Sequence, residues 1–290
     1  MSLPARSVAL PYLATIFAMA AYQVGAAVAK GLFPAVGPQG AATLRLCMGA
    51  MVMIAVARPW RHWPTRADWP AIVGLGLATA GAIFCFFSAL ERLPLGVAIA
   101  VQFLGPLSIA VFGSKRRTHL FWAVLAAIGV WCLVGMGART GALDPVGLAW
   151  SLGSACCWAG YILFGRVASF SGPAVGALAT TIAALVILPL GVHHAGAALL
   201  SPSLLPIAVM VGVFSTALPF SLELYALPRM PARTFAVLMS LEPAFAVLSG
   251  LILLHERLAG AQILGIAMVM LAAAGSAATS QSIPAPQHID

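Results

Sequence analysis

The sequence predicts an all-α polytopic membrane protein, ten transmembrane helices arranged as two inverted five-helix repeats. Three observations lead there. Of 290 residues, 62% are hydrophobic and only 8% are charged, whereas soluble domains carry about 25% charge. The apolar residues gather in runs of about 20, the length a helix needs to cross a bilayer core. The second half of the chain also repeats marker residues of the first at a steady interval. This balance excludes a water-soluble globule, a disordered chain and a coiled coil.

Charge, Pro and Gly divide the chain into ten candidate spans. The first, 10–28, could be mistaken for a cleaved leader. Only Arg6 precedes it and no clear small-residue cleavage site follows, so it is read as a retained helix. The next four cover 39–57, 70–89, 96–113 and 120–137. The second five cover 146–165, 174–191, 204–225, 233–254 and 260–279. Each run is too long for a barrel strand, and few alternate with period two. Short loops take up the rest. The expected organisation is one five-helix unit at 10–137, a second at 146–279, and a disordered cytoplasmic tail at 280–290 that carries Pro284 and Pro286.

Lys and Arg near helix ends set the orientation. With a cytoplasmic N-terminus, ten cations lie inside, among them Arg58, Arg61, Arg66 and Lys115-Arg116-Arg117. Four lie outside: Lys30, Arg92, Arg139 and Arg257. Both termini are therefore expected in the cytoplasm. Trp60, Trp63, Trp69 and Trp122 cluster at the same face, where indoles favour the interface. The formal charge of +8 follows from this topology. The basic cluster suits anionic lipid heads, and nothing beyond it points to nucleic acid. The five Cys, at 47, 85, 132, 156 and 157, all fall within spans without metal-ligand spacing.

Leu90, Arg92, Pro94, Leu104, Pro106 and Gly113 recur 137 residues later as Leu227, Arg229, Pro231, Leu241, Pro243 and Gly250. Thr79 and Thr216 share the interval, and Gly37-Pro38 recurs as Gly172-Pro173. Five spans per half is an odd number, so the second half enters the bilayer from the opposite side. Inverted repeats that rock about a midplane site are a transporter design.

The run Leu241-Glu242-Pro243, followed by Gly250, Glu256, Leu258, Gln262 and Gly265, resembles the signature of EamA-type proteins of the drug/metabolite transporter superfamily. Within that group the chain is most similar to the inner-membrane threonine/homoserine exporters. The matching stretches are Gly31-Leu32-Phe33-Pro34, Thr43-Leu44-Arg45-Leu46, Ser215-Thr216-Ala217-Leu218-Pro219, Ser221-Leu222-Glu223 and Arg233-Thr234-Phe235. The resemblance implies ten helices in the bacterial inner membrane and export of a small amino acid. The first half departs from the pattern: His119 stands at the interval from Glu256.

Ionisable side chains inside a span are costly, about 2.5–3.5 kcal/mol each on insertion scales, and mark function. Here they are Arg45, Glu223 and Glu242, with Lys30 at a span end. Glu242 falls near mid-depth. Pro243 removes the amide partner of the Met239 carbonyl, as Pro106 does for Gln102 and Pro219 for Ser215. Broken helices with freed carbonyls at mid-depth make substrate and ion sites; the bland reading is a kink resealed by neighbouring helices. Arg45, placed some six residues below the outer surface, pairs with a carboxylate of the protein, holds the α-carboxylate of an amino acid, or snorkels outward. Tyr22 and Gln23 on the first span, and Ser151, Ser154, Trp158 and Tyr161 on the sixth, form stripes that serve either packing or cargo. Expected cargo contacts are Tyr22, Gln23, Arg45, Gln102, Trp158 and Tyr161, with Glu242 or Glu223 exchanging a proton.

No Gly-rich phosphate loop precedes either Lys, so no nucleotide or other cofactor is expected and transport runs on gradients. Cargo of another kind (a nucleoside, a drug, a sugar conjugate) fits the same scaffold. An intramembrane enzyme is disfavoured because all six His fall in loops or the tail, and the embedded acids weigh against a scaffold subunit. His193-His194 supplies too few ligands for a metal.

Overall fold

The computed structural model describes residues 5–61, 63–112, 117–133, 143–168, 174–226, 229–230 and 232–279, and among these there is no strand. Eight helical segments are long and apolar enough to cross a membrane, and two shorter apolar helices accompany them over Leu95–Ile109 and Leu120–Trp131.

Helix α1 (Ala5–Lys30) passes through Gly31 and Leu32 directly into α2 (Phe33–Ala57). The sequence placed the second span at 39–57, but Pro34 opens α2 earlier, and a kink at Gly37 (φ +68°) separates its first turn from the rest. Arg45 is thus the thirteenth of 25 residues and sits at the middle of the helix, deeper than its expected six-residue depth. Its side chain is 2% exposed, so it does not snorkel.

Helix α3 (Trp69–Leu90) is followed by a span broken at Phe103 into α4 (Leu95–Gln102) and α5 (Leu104–Phe112), then by α6 (Arg117–Trp131). Helix α7 (Pro145–Ala168) starts on Asp144, whose Oδ1 accepts the Val146 amide at 2.8 Å, with Pro145 at the first helical position. Arg92 donates to Asp144 Oδ2 at 2.7 Å and holds that carboxyl below its ordinary range, tying the α3–α4 turn to α7. Helix α8 (Val175–Ala195) precedes a second broken span: α9 (Leu205–Gly212), a π turn (Val213–Ala217) and α10 (Leu218–Ala226). A third comprises α11 (Ala232–Met239) and α12 (Glu242–Leu253), parted by Ser240 and Leu241; α13 (Gly260–Thr279) closes the chain.

Packing joins distant parts of the sequence. α3 lies against α7 and α8, and α1 against α10 and α12. α2 lies against α8 and α9, α4 against α12, α6 against α13, and α7 against α4 and α5. Small residues let backbones meet: Gly129 and Gly265 face one another, and Gly105 abuts the Ala155 carbonyl. Phe17, Trp131, Leu185, Ile252 and Leu271 are exposed on the rim, as suits a bundle whose solvent is lipid.

Gly113, Lys115-Arg116, Arg139, Gly172-Pro173, Leu227, Pro231 and the tail at 280–290 lie outside the described residues.

Candidate functional site

Two of the three broken spans part at equivalent places, Phe103 and Ser240, 137 residues apart. Pro106 and Pro243 do not kink continuous helices, which is the bland alternative: they stand in the first turns of α5 and α12, where a missing N–H has no intrahelical partner to lose. Glu242 becomes the first residue of α12, at the gap itself.

Around this gap α1 and α2 bring polar side chains. Gln23 is fully buried and its Nε2 donates to Glu242 Oε1 at 2.9 Å. Arg45 Nη2 donates at 2.9 Å to the carbonyl oxygen of Ser215, the acceptor that Pro219, in the first turn of α10, deprives of its helical amide. The guanidinium lies 4.7 Å from the ring centre of Tyr22 and 5.6 Å from that of Phe87, cation–π distances that favour a buried charge. Its Nε and Nη1, together with Gln23 Oε1, are buried without a partner. Such atoms are rare in folded proteins and costly. Tyr22 lies within electrostatic reach of Arg45, Glu242 and Glu223, and Glu242 within reach of Arg45 and Glu223. Tyr161 of α7 lies within reach of Glu223 and Tyr22 and stacks on Trp158, with centroids 4.6 Å apart and planes 5° apart.

Gln102, at the other gap, stands apart from this group. Its Nε2 donates to Ser154 Oγ at 2.9 Å, and Ser154 donates to the Ala82 carbonyl at 2.9 Å. Both crossings therefore pin the opening helix of one half of the chain to a broken helix of the other. Only the α1–α12 crossing holds an ionisable group in its pinning bond. Two shallow grooves of about 120 and 200 Å³ flank α1, but their walls are apolar side chains such as Val24, Val28, Phe214 and Phe245, and none of the polar cluster lines them.

A second polar node joins the end of α1 to the start of α4. Lys30 Nζ donates to Glu256 Oε1 at 2.7 Å and to the Leu93 carbonyl at 3.2 Å. Glu256 Oε2 accepts the Leu95 amide at 2.8 Å and so caps α4 from another part of the chain, its charge favourable at that N-terminus. Leu32, Leu90, Leu93, Leu95 and Ile99 pack in the same buried cluster. Glu256→Ala removes the ion pair and the cap together, with an expected loss of about 2–3 kcal/mol in thermal unfolding in detergent. Glu256→Gln keeps an acceptor for Leu95 and should lose less than the alanine variant.

Sequence reasoning missed the Lys30–Glu256 pair, the Ser154 bridge, and the roles of Ser215 and Phe87 at Arg45. Each depends on contacts between residues 40 or more apart in the chain, so only the residue types were visible: Glu256 and Ser215 in quoted motifs, Ser154 on a stripe, Lys30 at a span end. Among the described residues no group of three metal-ligating side chains occurs.

Comparison with known proteins identifies the family. The EamA-like transporter family matches the chain twice, over residues 9–135 and 145–277. The threonine/homoserine exporter RhtA of Salmonella typhimurium (strain SL1344) is 42% identical over 282 residues, covering 97% of this chain and 96% of that protein. The protein of the same name from Escherichia coli (strain K12) is 42% identical over 271 residues, covering 93% and 92%. A solved crystal structure, 23% identical, shares the fold with a TM-score of 0.61 over 94% of this chain and 98% of its own. With eight helices able to span a bilayer and both halves matched, this multi-pass membrane protein belongs to the EamA-like transporter family.

Proposed function

We propose that this protein exports small amino acids such as threonine and homoserine across the bacterial inner membrane, by alternating access in exchange for protons. The observation that carries the reading is the buried Arg45, with two unpartnered N–H groups, beside the Gln23–Glu242 pair at a helix gap. A zwitterionic amino acid complements this arrangement. Its carboxylate accepts from the Arg45 fork, and its ammonium donates to Gln23 Oε1 and Glu242. Tyr22, Trp158 and Tyr161 wall the site, and Gln102 with Ser154 pins the opposite crossing. The names of the 42%-identical relatives support the choice of cargo.

Exchange follows from competition. The cargo ammonium and a proton cannot both occupy Glu242, so each step of the cycle carries one or the other. Desolvation favours the neutral form of a carboxylate and a nearby cation favours the charged form, so loading and closure shift its proton. Glu223, within electrostatic reach, is the second proton site.

The architecture in this reading is ten spans in two inverted repeats, 10–137 and 146–279, with both ends of the chain in the cytoplasm. The packing supports it. Exchanging the first five spans for the last five turns the α3–α7 contact into α1–α10, α3–α8 into α2–α9, α1–α12 into α7–α5 and α4–α7 into α11–α1, while α2–α8 and α6–α13 map onto themselves. By the count of cations the Lys30–Glu256 node lies outside. The conformation is then closed on that side.

The test is efflux of preloaded threonine from proteoliposomes under an imposed pH gradient. The wild type should accelerate when the outside is acid. Glu242→Gln should lose that dependence and retain gradient-free exchange of internal for external threonine. Gradient-driven efflux that survives in Glu242→Gln overturns the proton assignment. Efflux of no amino acid by the wild type overturns the cargo.

A further inference from the structure

Many hydroxyls within these helices follow one pattern. Those of Thr15, Thr43, Thr79, Thr180, Thr181 and Ser215 donate to the carbonyl four residues earlier. That local bond is how a hydroxyl is satisfied in a dry helix. Thr216 departs from it: its Oγ1 is buried and has no partner. Thr79, at the 137-residue interval, is paired, so residue type is not the cause.

Thr216 sits in the π turn, directly after Ser215, whose carbonyl oxygen receives Arg45 Nη2. Its side chain lies over Gly49 of α2, where a Cβ would come within 2.8 Å of Thr216 Cγ2 and 3.1 Å of its Oγ1. Gly49 is one helical turn beyond Arg45 and shares its face. An unpartnered hydroxyl and a guanidinium with two unpartnered nitrogens therefore belong to one short stretch of the α2–π-turn contact. π turns inside α-helices frequently mark functional sites.

Resting on the amino-acid reading above, we infer that Thr216 is a specificity-determining residue that hydrogen-bonds the side-chain hydroxyl of the cargo while Arg45 holds its carboxylate. Threonine carries its hydroxyl on the carbon next to the α-carbon, and homoserine one carbon further. Both offer a hydroxyl close to the carboxylate. A site that bonds a cargo hydroxyl rejects an analogue lacking it far more strongly than an apolar pocket rejects a change of size. Ser151 Oγ, also buried without a partner, stands on α7 and has no corresponding guanidinium bonded beside it.

The experiment compares transport of threonine, homoserine and 2-aminobutyrate, the last being either cargo with its hydroxyl replaced by hydrogen. It uses the full-length protein in proteoliposomes. The wild type should favour the hydroxylated cargoes by about 10-fold or more. Thr216→Val should reduce that preference to within about 3-fold and leave 2-aminobutyrate transport near the wild-type rate, and Thr216→Ser should restore the preference. A Thr216→Val protein that keeps the wild-type preference, or loses transport of all three equally, overturns the assignment. A wild type that moves none of the three overturns the amino-acid reading itself, and this inference with it.

Discussion

Arg45→Lys is expected to lower threonine efflux from proteoliposomes by at least about 30-fold, equivalent to roughly 2 kcal/mol. The substitution keeps the positive charge, so charge alone is not at issue. What it removes is the planar fork: one N–H spent on the Ser215 carbonyl, the unpartnered Nε and Nη1 left over for a carboxylate, and a flat face near the rings of Tyr22 and Phe87. A lysine ammonium reaches the Ser215 carbonyl or the cargo, not both in the same geometry. Wild-type-like thermal unfolding with the lost efflux separates a cargo defect from a folding one. A lysine variant that retains more than about a third of the wild-type rate removes Arg45 from the carboxylate site.

The second large effect concerns packing. Gly105→Ala places a methyl group against the Ala155 carbonyl of α7. That contact is backbone, which cannot swing aside as a side chain does. α5 must retreat from α7, and Gln102, three residues before, is drawn off Ser154. The expected cost is about 3 kcal/mol, the upper end for an overfilled contact, read as a lower unfolding temperature and a smaller folded fraction on size exclusion. Gly160→Ala is the control. It lies on the same α7, its nearest neighbour is Ala78 Cβ at 3.6 Å, and it should be tolerated. Equal behaviour of the two variants refutes the steric account.

The spans themselves were legible because hydrocarbon imposes length and apolarity on every crossing segment, and the breaks in two of them were legible because Pro106 and Pro243 lack an amide hydrogen. What a missing amide does locally was not. A proline in a regular helix kinks it, yet here the helix ends and restarts with the proline in its first turn. Local rules do not choose between those outcomes; packing against α1 and α7 does. Arg45, Gln23 and Glu242 were readable as costly polar residues. That Gln23 meets Glu242 across 219 positions, or that Arg45 takes the carbonyl freed by Pro219, depends on how α1, α2 and α10 assemble. The depth of Arg45 was misjudged because Gly37 resembles a loop residue and proved to be a bend inside α2.

The contrast between the two look-alike crossings has a consequence for what the protein tolerates. Gln102 and Ser154 join uncharged groups at theirs, whereas Gln23 meets the carboxylate of Glu242 at the other. The Gln102–Ser154 crossing therefore offers no carboxylate that could replace Glu242. Lesions at the charged crossing should abolish the response of export to a pH gradient. Equivalent changes at the neutral crossing should alter only how stiffly the machine turns.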